Sequence, residues 1–132
     1  MSWVKIDDQF ADHPKIKQVG AIGLAIQVAA LCYCAKYLTD GFLSFSVADS
    51  LIRSVLSPIT ESDGMIITIE VSSNMWGQNA EEYNWKKLMV EAGLWEISDG
   101  KDGFILHDYL EYNPSRDSVL RKREEDKKRK AQ

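Results

Sequence analysis

The chain has 132 residues, of which 45% are hydrophobic and 27% are charged. This length and composition are typical of one globular domain, and they exclude a collagen-like, coiled-coil or wholly disordered chain. Residues 1–114 hold 8 Lys/Arg and 16 Asp/Glu, a net charge of −8, whereas residues 115–132 carry a net +4. An acidic body followed by a basic tail is the first indication of function.

The compartment is expected to be the cytoplasm. The N-terminus has no basic-then-apolar signal pattern. Cys32 and Cys34 are two residues apart in an apolar run, and we interpret both as reduced core residues. The longest apolar run, Ile22–Leu38, has 17 residues and includes two polar ones, so it indicates a buried central helix rather than a membrane span.

The first half of the chain predicts helices around one short strand. Pro14 begins a short helix that ends at Gly20, and a longer helix over Ile22–Leu38 ends at the Asp-Gly turn that follows it. Phe42, Leu43 and Phe45 then indicate a strand. Ser46 is a natural N-cap for a helix over 47–56, which Pro58 is expected to end.

The second half predicts a strand, a helix and a hairpin. Residues 65–71 are rich in β-branched side chains and predict the strand. Residues 79–92 have the apolar spacing of a helix, which Gly93 is expected to end. Segments 94–98 and 104–110 flank an Asp- and Gly-rich turn, which predicts a β-hairpin. Residues 114–132 are expected to form a basic C-terminal helix or tail.

The order of helix, strand, helix, helix and hairpin predicts an α+β fold, a winged helix-turn-helix-like domain over residues 1–113. Three segments support this interpretation: WVKIDDQFADHPKI, LCYCAKYLTDGFLS and EAGLWEISDGKDGFILHDYLEYNPSR. In this order they resemble the winged-helix N-terminal domains of phage and prophage replication-initiation (replisome organiser) proteins. The resemblance covers about three quarters of the chain. Segment 57–78 departs from it and is interpreted as an insertion between the second and third helices.

The resemblance implies binding to double-stranded DNA near a phage origin and recruitment of host or phage replication proteins through a further C-terminal region. The residues by themselves indicate no enzyme. His13 and His107 are far apart in sequence, no glycine-rich phosphate loop is present, and Asp7, Asp8 and Asp12 lack the pattern of a calcium loop. We therefore expect no catalytic residue, no metal and no cofactor.

Candidate DNA contacts fall in three places. The predicted third helix presents amides and cations, although Glu81 and Glu82 beside them would repel phosphates, and Lys101 lies at the predicted wing tip. The tail offers a cluster of basic side chains. The candidates are Asn79, Asn84, Lys86, Lys87, Lys101, Arg116, Arg121, Lys122, Arg123, Lys127, Lys128, Arg129 and Lys130. Solvated helix faces of mixed charge are the alternative interpretation of both the helix and the tail.

A second hypothesis is a phage-encoded protein-protein interaction module. The acidic body is a poor DNA surface, and it could bind or inhibit host machinery or mimic DNA. Met75 and Trp76 are the candidate partner-binding residues, because they form an apolar pair in a stretch that has no evident core face.

Overall fold

A computed structural model describes residues 3–63, 84–100 and 102–131, with the backbone alone for residues 57–63. The predicted α+β class is confirmed, because helices pack against a three-stranded antiparallel sheet. After a 3₁₀ turn at Phe10–Asp12, the elements are α1 (Pro14–Tyr37), β1 (Phe42–Ser44), α2 (Phe45–Asp63), α3 (Trp85–Glu91), β2 (Trp95–Ile97), β3 (Gly103–Leu106), α4 (Tyr109–Tyr112) and α5 (Arg116–Ala131).

The helix α1 is broken at Gly20, as predicted. Gly20 has φ 72° and ψ −166°, a conformation that glycine adopts without the steric cost of a Cβ. At the start of α1, His13 Nδ1 accepts a hydrogen bond from the Lys15 N–H at 3.2 Å. Among the described residues, α1 is the helix long and apolar enough to cross a membrane, and 39% of its apolar window is buried inside the molecule. A core helix of a soluble domain passes the same test.

The sheet has the strand order β1-β3-β2, so β3 is the central strand. Phe104 of β3 pairs with Leu43 on one side and Ile97 on the other, and its side chain is fully buried. The predicted hairpin is therefore confirmed as β2 and β3. The prediction that the second strand runs to residue 110 is wrong. Asp108 adopts a left-handed conformation with φ 59°, and the chain turns there into α4.

The prediction for α2 is wrong at both ends. The Val47 N–H donates to Ser44 Oγ at 3.2 Å, so Ser44 rather than Ser46 caps the helix. The backbone then stays helical through Pro58 as far as Asp63. An interior proline removes one backbone hydrogen bond. The helix continues without that bond, so Pro58 is not its end.

The core lies where α1 packs against α2, α3 and the sheet. Its largest fully buried side chains include Trp95, Phe104, Ile26 and Met89. Both cysteines are free, as predicted. Cys34 is buried in this core, but Cys32 is exposed, which corrects its interpretation as a core residue.

Several sequence predictions lie outside the described residues. They are the strand at 65–71, most of the insertion at 57–78, residues 79–83 of the helix predicted for 79–92, and the candidate residues Met75, Trp76, Asn79 and Lys101. The prediction of one continuous helix over 79–92 is wrong, because Asn84 has an extended backbone with φ −96° and ψ 95° and α3 begins after it, at Trp85.

Candidate nucleic-acid interface

The helix α3 is held by a cap at each end. Asn84 Oδ1 accepts from the Lys87 N–H at 3.3 Å. At the other end, the Gly93 N–H donates to Val90 O at 3.0 Å and the Leu94 N–H donates to Met89 O at 3.1 Å. This pair of bonds, with φ 82° at Gly93, is a Schellman motif. The prediction that Gly93 stops the helix is confirmed, and the amide oxygen of Asn84 serves the cap.

The structure corrects the prediction for Lys86. Its Nζ lies 2.8 Å from Asp49 Oδ1 of α2, and the two side chains are 5% and 3% exposed. An ammonium group enclosed with a carboxylate cannot reach a DNA phosphate. A signal for this pair existed in the sequence, since Asp49 shares the helical spacing of Ile52 and Leu56, whose side chains are buried. A carboxylate on an apolar helix face needs a partner.

Lys87 is the cation that α3 does expose. Its side chain is 56% exposed and its Nζ lies 4.0 Å from Glu91 Oε1, one turn further along the helix. An exposed pair of this kind contributes little to stability and leaves the ammonium group accessible. Of the two lysines predicted on this helix, Lys87 alone can contact a phosphate.

The tail is helical, and α5 is solvated along its whole length. None of the residues of α5 that the structure describes is buried. All eight basic side chains in the helix are exposed: Arg116, Arg121, Lys122, Arg123, Lys127, Lys128, Arg129 and Lys130. One of them, Arg129, pairs with Asp126 one turn earlier.

Half of these cations share one face of α5. With about 100° of rotation per residue, Arg116, Arg123, Lys127 and Lys130 fall within about 60° around the helix axis. We call these four residues the basic stripe. Asp117, Glu124, Glu125 and Asp126 fall outside that sector. The helix therefore presents a row of positive charge about 20 Å long that no acidic residue of α5 interrupts.

A contact that sequence reasoning missed ties α5 to the body. Asp40 Oδ1 accepts from the backbone N–H of Arg116 at 2.6 Å. Ser115 Oγ accepts from the Ser118 N–H at 3.2 Å, so the first turn of α5 has two side-chain acceptors. The sequence indicates only a turn at Asp40. Nothing local in the sequence connects it with a residue 76 positions away.

The two histidines come together in space. His13 and His107 line the same cavity, although they are far apart in sequence. His107 Nδ1 lies 2.7 Å from Glu96 Oε1, and its Nε2 lies 3.0 Å from Asp108 Oδ2. Within the described ranges, no group of three or more His, Cys, Asp or Glu residues is arranged to hold a metal ion.

Comparison with known proteins adds no relative: no family profile, curated protein or solved structure matches this chain.

Proposed function

We propose that this chain is a non-enzymatic, DNA-binding winged-helix protein of phage or prophage origin that acts in phage DNA replication or its regulation. Its proposed ligand is double-stranded DNA in the cytoplasm, with no cofactor. The observation that carries the proposal is the basic stripe on α5. A solvated helix with four cations on one face can neutralise several phosphates of a duplex.

The arrangement of the body is compatible with this proposal. Its elements follow the order helix, strand, helix, helix, strand, strand, and the proposal assigns the connection between β2 and β3 as the wing. With Lys86 enclosed, the proposal assigns phosphate contact chiefly to α5, with Lys87 as the contribution of α3. Asn79 and Lys101 stay predictions from the sequence.

Fluorescence anisotropy of a labelled duplex, titrated across a salt series, tests the proposal. One variant changes the four residues of the basic stripe to Gln. The matched control changes the other four cations of α5 to Gln: Arg121, Lys122, Lys128 and Arg129. Both variants lose four positive charges from the same helix, so their net charge is equal. They differ only in which face of α5 has lost its cations.

We expect the stripe variant to lose more affinity than the control and to lower the salt slope by up to about 0.9 for each phosphate contact removed. Equal losses would indicate non-specific attraction to a charged tail. No binding of the unmodified chain at low salt would refute the proposal.

A protein partner is the second candidate, and one observation favours it. The Lys5 N–H donates to Asn113 Oδ1 at 3.3 Å, which brings the N-terminal segment beside α4. Large apolar side chains are exposed on both segments: Trp3, Ile6, Leu110 and Tyr112. If the duplex does not bind, capture of a host replication protein that is lost in Trp3→Ala and Tyr112→Ala, but kept in Tyr37→Ala at another exposed site, would support this function.

A further inference from the structure

A cavity of about 240 Å³ lies among the N-terminal segment, α1 and the junction of β3 with α4. Much of its wall is apolar, formed by side chains that include Ile6, Phe10, Ile16, Leu31, Leu94 and Tyr112. Its volume is below that of pockets for drug-sized ligands, which run from about 300 to 1,000 Å³. The space suits a molecule with about one ring.

Gln27 gives this apolar cavity a specific polar group. The side chain is 5% exposed, and its Oε1 accepts from Trp95 Nε1 at 2.7 Å. An indole N–H can only donate, so the amide oxygen must face Trp95 and the NH₂ group must point away from it. Within the described part of the chain, that NH₂ group donates to no protein acceptor. Gln27 also lines the cavity.

The Nε2 atom of Gln27 is not among the fully enclosed atoms that lack a partner, so its NH₂ group opens onto the cavity. Each of the two carboxylates in the lining has one contact within the protein, since Asp7 Oδ1 accepts from the Gln9 N–H at 2.8 Å and Asp108 Oδ2 lies 3.0 Å from His107 Nε2. Lys15, which also lines the cavity, donates to Gly93 O at 3.2 Å and has two further hydrogens to give. Gln27 Nε2 and Lys15 Nζ thus offer donors at the cavity, and a molecule that brings an acceptor complements them.

We propose that this cavity is a binding site for a small organic ligand that has an apolar body and a carboxylate or amide carbonyl. In this site the carbonyl-type oxygen accepts from Gln27 Nε2, and the apolar body packs against Phe10, Leu31 and Leu94. Trp95 fixes the amide so that its donor faces the ligand. This site is independent of the proposed DNA function, because the basic stripe contributes nothing to the lining.

The test is a titration followed by ¹H–¹⁵N correlation NMR, with phenylacetate, phenylacetamide and phenethylamine as probes. The acid and the amide carry the acceptor and the amine does not. We expect the acid and the amide to shift the Gln27 side-chain NH₂ and Trp95 indole signals saturably, with dissociation constants of about 1 mM or below. The signal of exposed Gln18 on the same helix should stay in place.

Two variants give the control. Gln27→Glu keeps an oxygen for Trp95 but replaces the NH₂ donor, and we expect at least about a tenfold loss of phenylacetate affinity at neutral pH. Gln18→Glu adds the same charge at an exposed site and should leave the affinity unchanged. If Gln27→Glu does not fold, Phe10→Trp, which narrows the cavity at a half-buried position, should weaken binding instead.

The unmodified protein can overturn the proposal by itself. No saturable shift with the acid or the amide would mean that ordered water alone satisfies Gln27. Equal shifts with phenethylamine, or shifts of Gln18 as large as those of Gln27, would mean non-specific contact with apolar surface.

Discussion

At the scale of single residues, the enclosed pair of Asp49 and Lys86 has the largest consequence for stability. Lys86→Ala removes the ammonium group that lies 2.8 Å from the buried Asp49 carboxylate, and breaking a buried ion pair in this way is strongly destabilising. We expect Lys86→Ala to lower the free energy of unfolding by about 3–5 kcal/mol, measured by urea denaturation. Lys87→Ala on the exposed face should change it by less than about 0.5 kcal/mol.

The double variant Asp49→Leu, Lys86→Met removes both charges and should cost clearly less than the sum of the single changes. Additive losses would contradict a direct pair.

The enclosure of Lys86 also decides which variant is informative in an experiment on DNA binding. A loss of DNA binding in Lys86→Ala would report unfolding, whereas the same loss in Lys87→Ala would report contact.

Cys34 makes the free energy of unfolding depend on pH in the alkaline range. Burial raises the pKa of its thiol from 9.0 to about 11, and the nearby Thr39 side chain and Gly41 backbone offset part of that rise. The folded-state pKa is above the unfolded one, so the stabilisation is complete below pH 9 and is lost as the pH rises towards 11. The loss by pH 10.5 is about 2 kcal/mol.

We therefore expect the free energy of unfolding to fall between pH 8.5 and 10.5 more steeply in the unmodified protein than in Cys34→Ala. The pKa of Tyr109 is raised to about 12 by burial and by the charges of Cys34 and Asp40, so this residue titrates mainly above the pH range of the comparison. Cys32→Ala, at the exposed cysteine, is the matched control. Parallel pH profiles for Cys34→Ala and the unmodified protein would contradict the prediction.

At the scale of elements, Asp40 decides how α5 begins. Its carboxylate accepts from the first N–H of the helix, where the helix dipole favours negative charge. We expect Asp40→Ala to raise amide hydrogen exchange over residues 116–119 by about fivefold, which corresponds to the loss of a cap of about 1 kcal/mol. Residue 40 has φ 54°, a conformation that asparagine tolerates well, so Asp40→Asn should keep most of the protection. Unchanged exchange in Asp40→Ala would mean that Ser115 alone caps α5.

At the scale of the whole molecule, the acidic body carries the stability and α5 carries exposed charge. The described part of α5 contains no buried residue. We expect deletion of residues 115–132 to lower the Tm by less than about 4 °C, an amount that corresponds to less than about 1 kcal/mol. A differential scanning calorimetry scan of both chains measures this. A large drop would show that α5 supports the body.

The sequence alone determined the features that depend on local geometry. Gly20 and Gly93 were identifiable as helix breaks because each needs a left-handed backbone, and both have positive φ. In the hairpin strand, Phe104 and Leu106 are buried and Ile105 between them is half-buried, which is the alternation that the geometry of a strand dictates. Local sequence signals gave a wrong prediction where another residue makes the expected contact. Ser46 is the predicted N-cap of α2, but Ser44 provides the cap.

The tertiary structure decided which charged and polar residues are available for function. Helical periodicity placed Lys86 on the predicted DNA-reading helix, but whether its face meets solvent or Asp49 depends on how α2 and α3 pack. Asp40 and Arg116 are 76 positions apart, and Gln27 and Trp95 are 68 apart. The spacing of residues within one element fixes which side chains share a face. Packing between elements sets which residues that face meets, because the elements are arranged so as to bury the apolar surface of the whole chain.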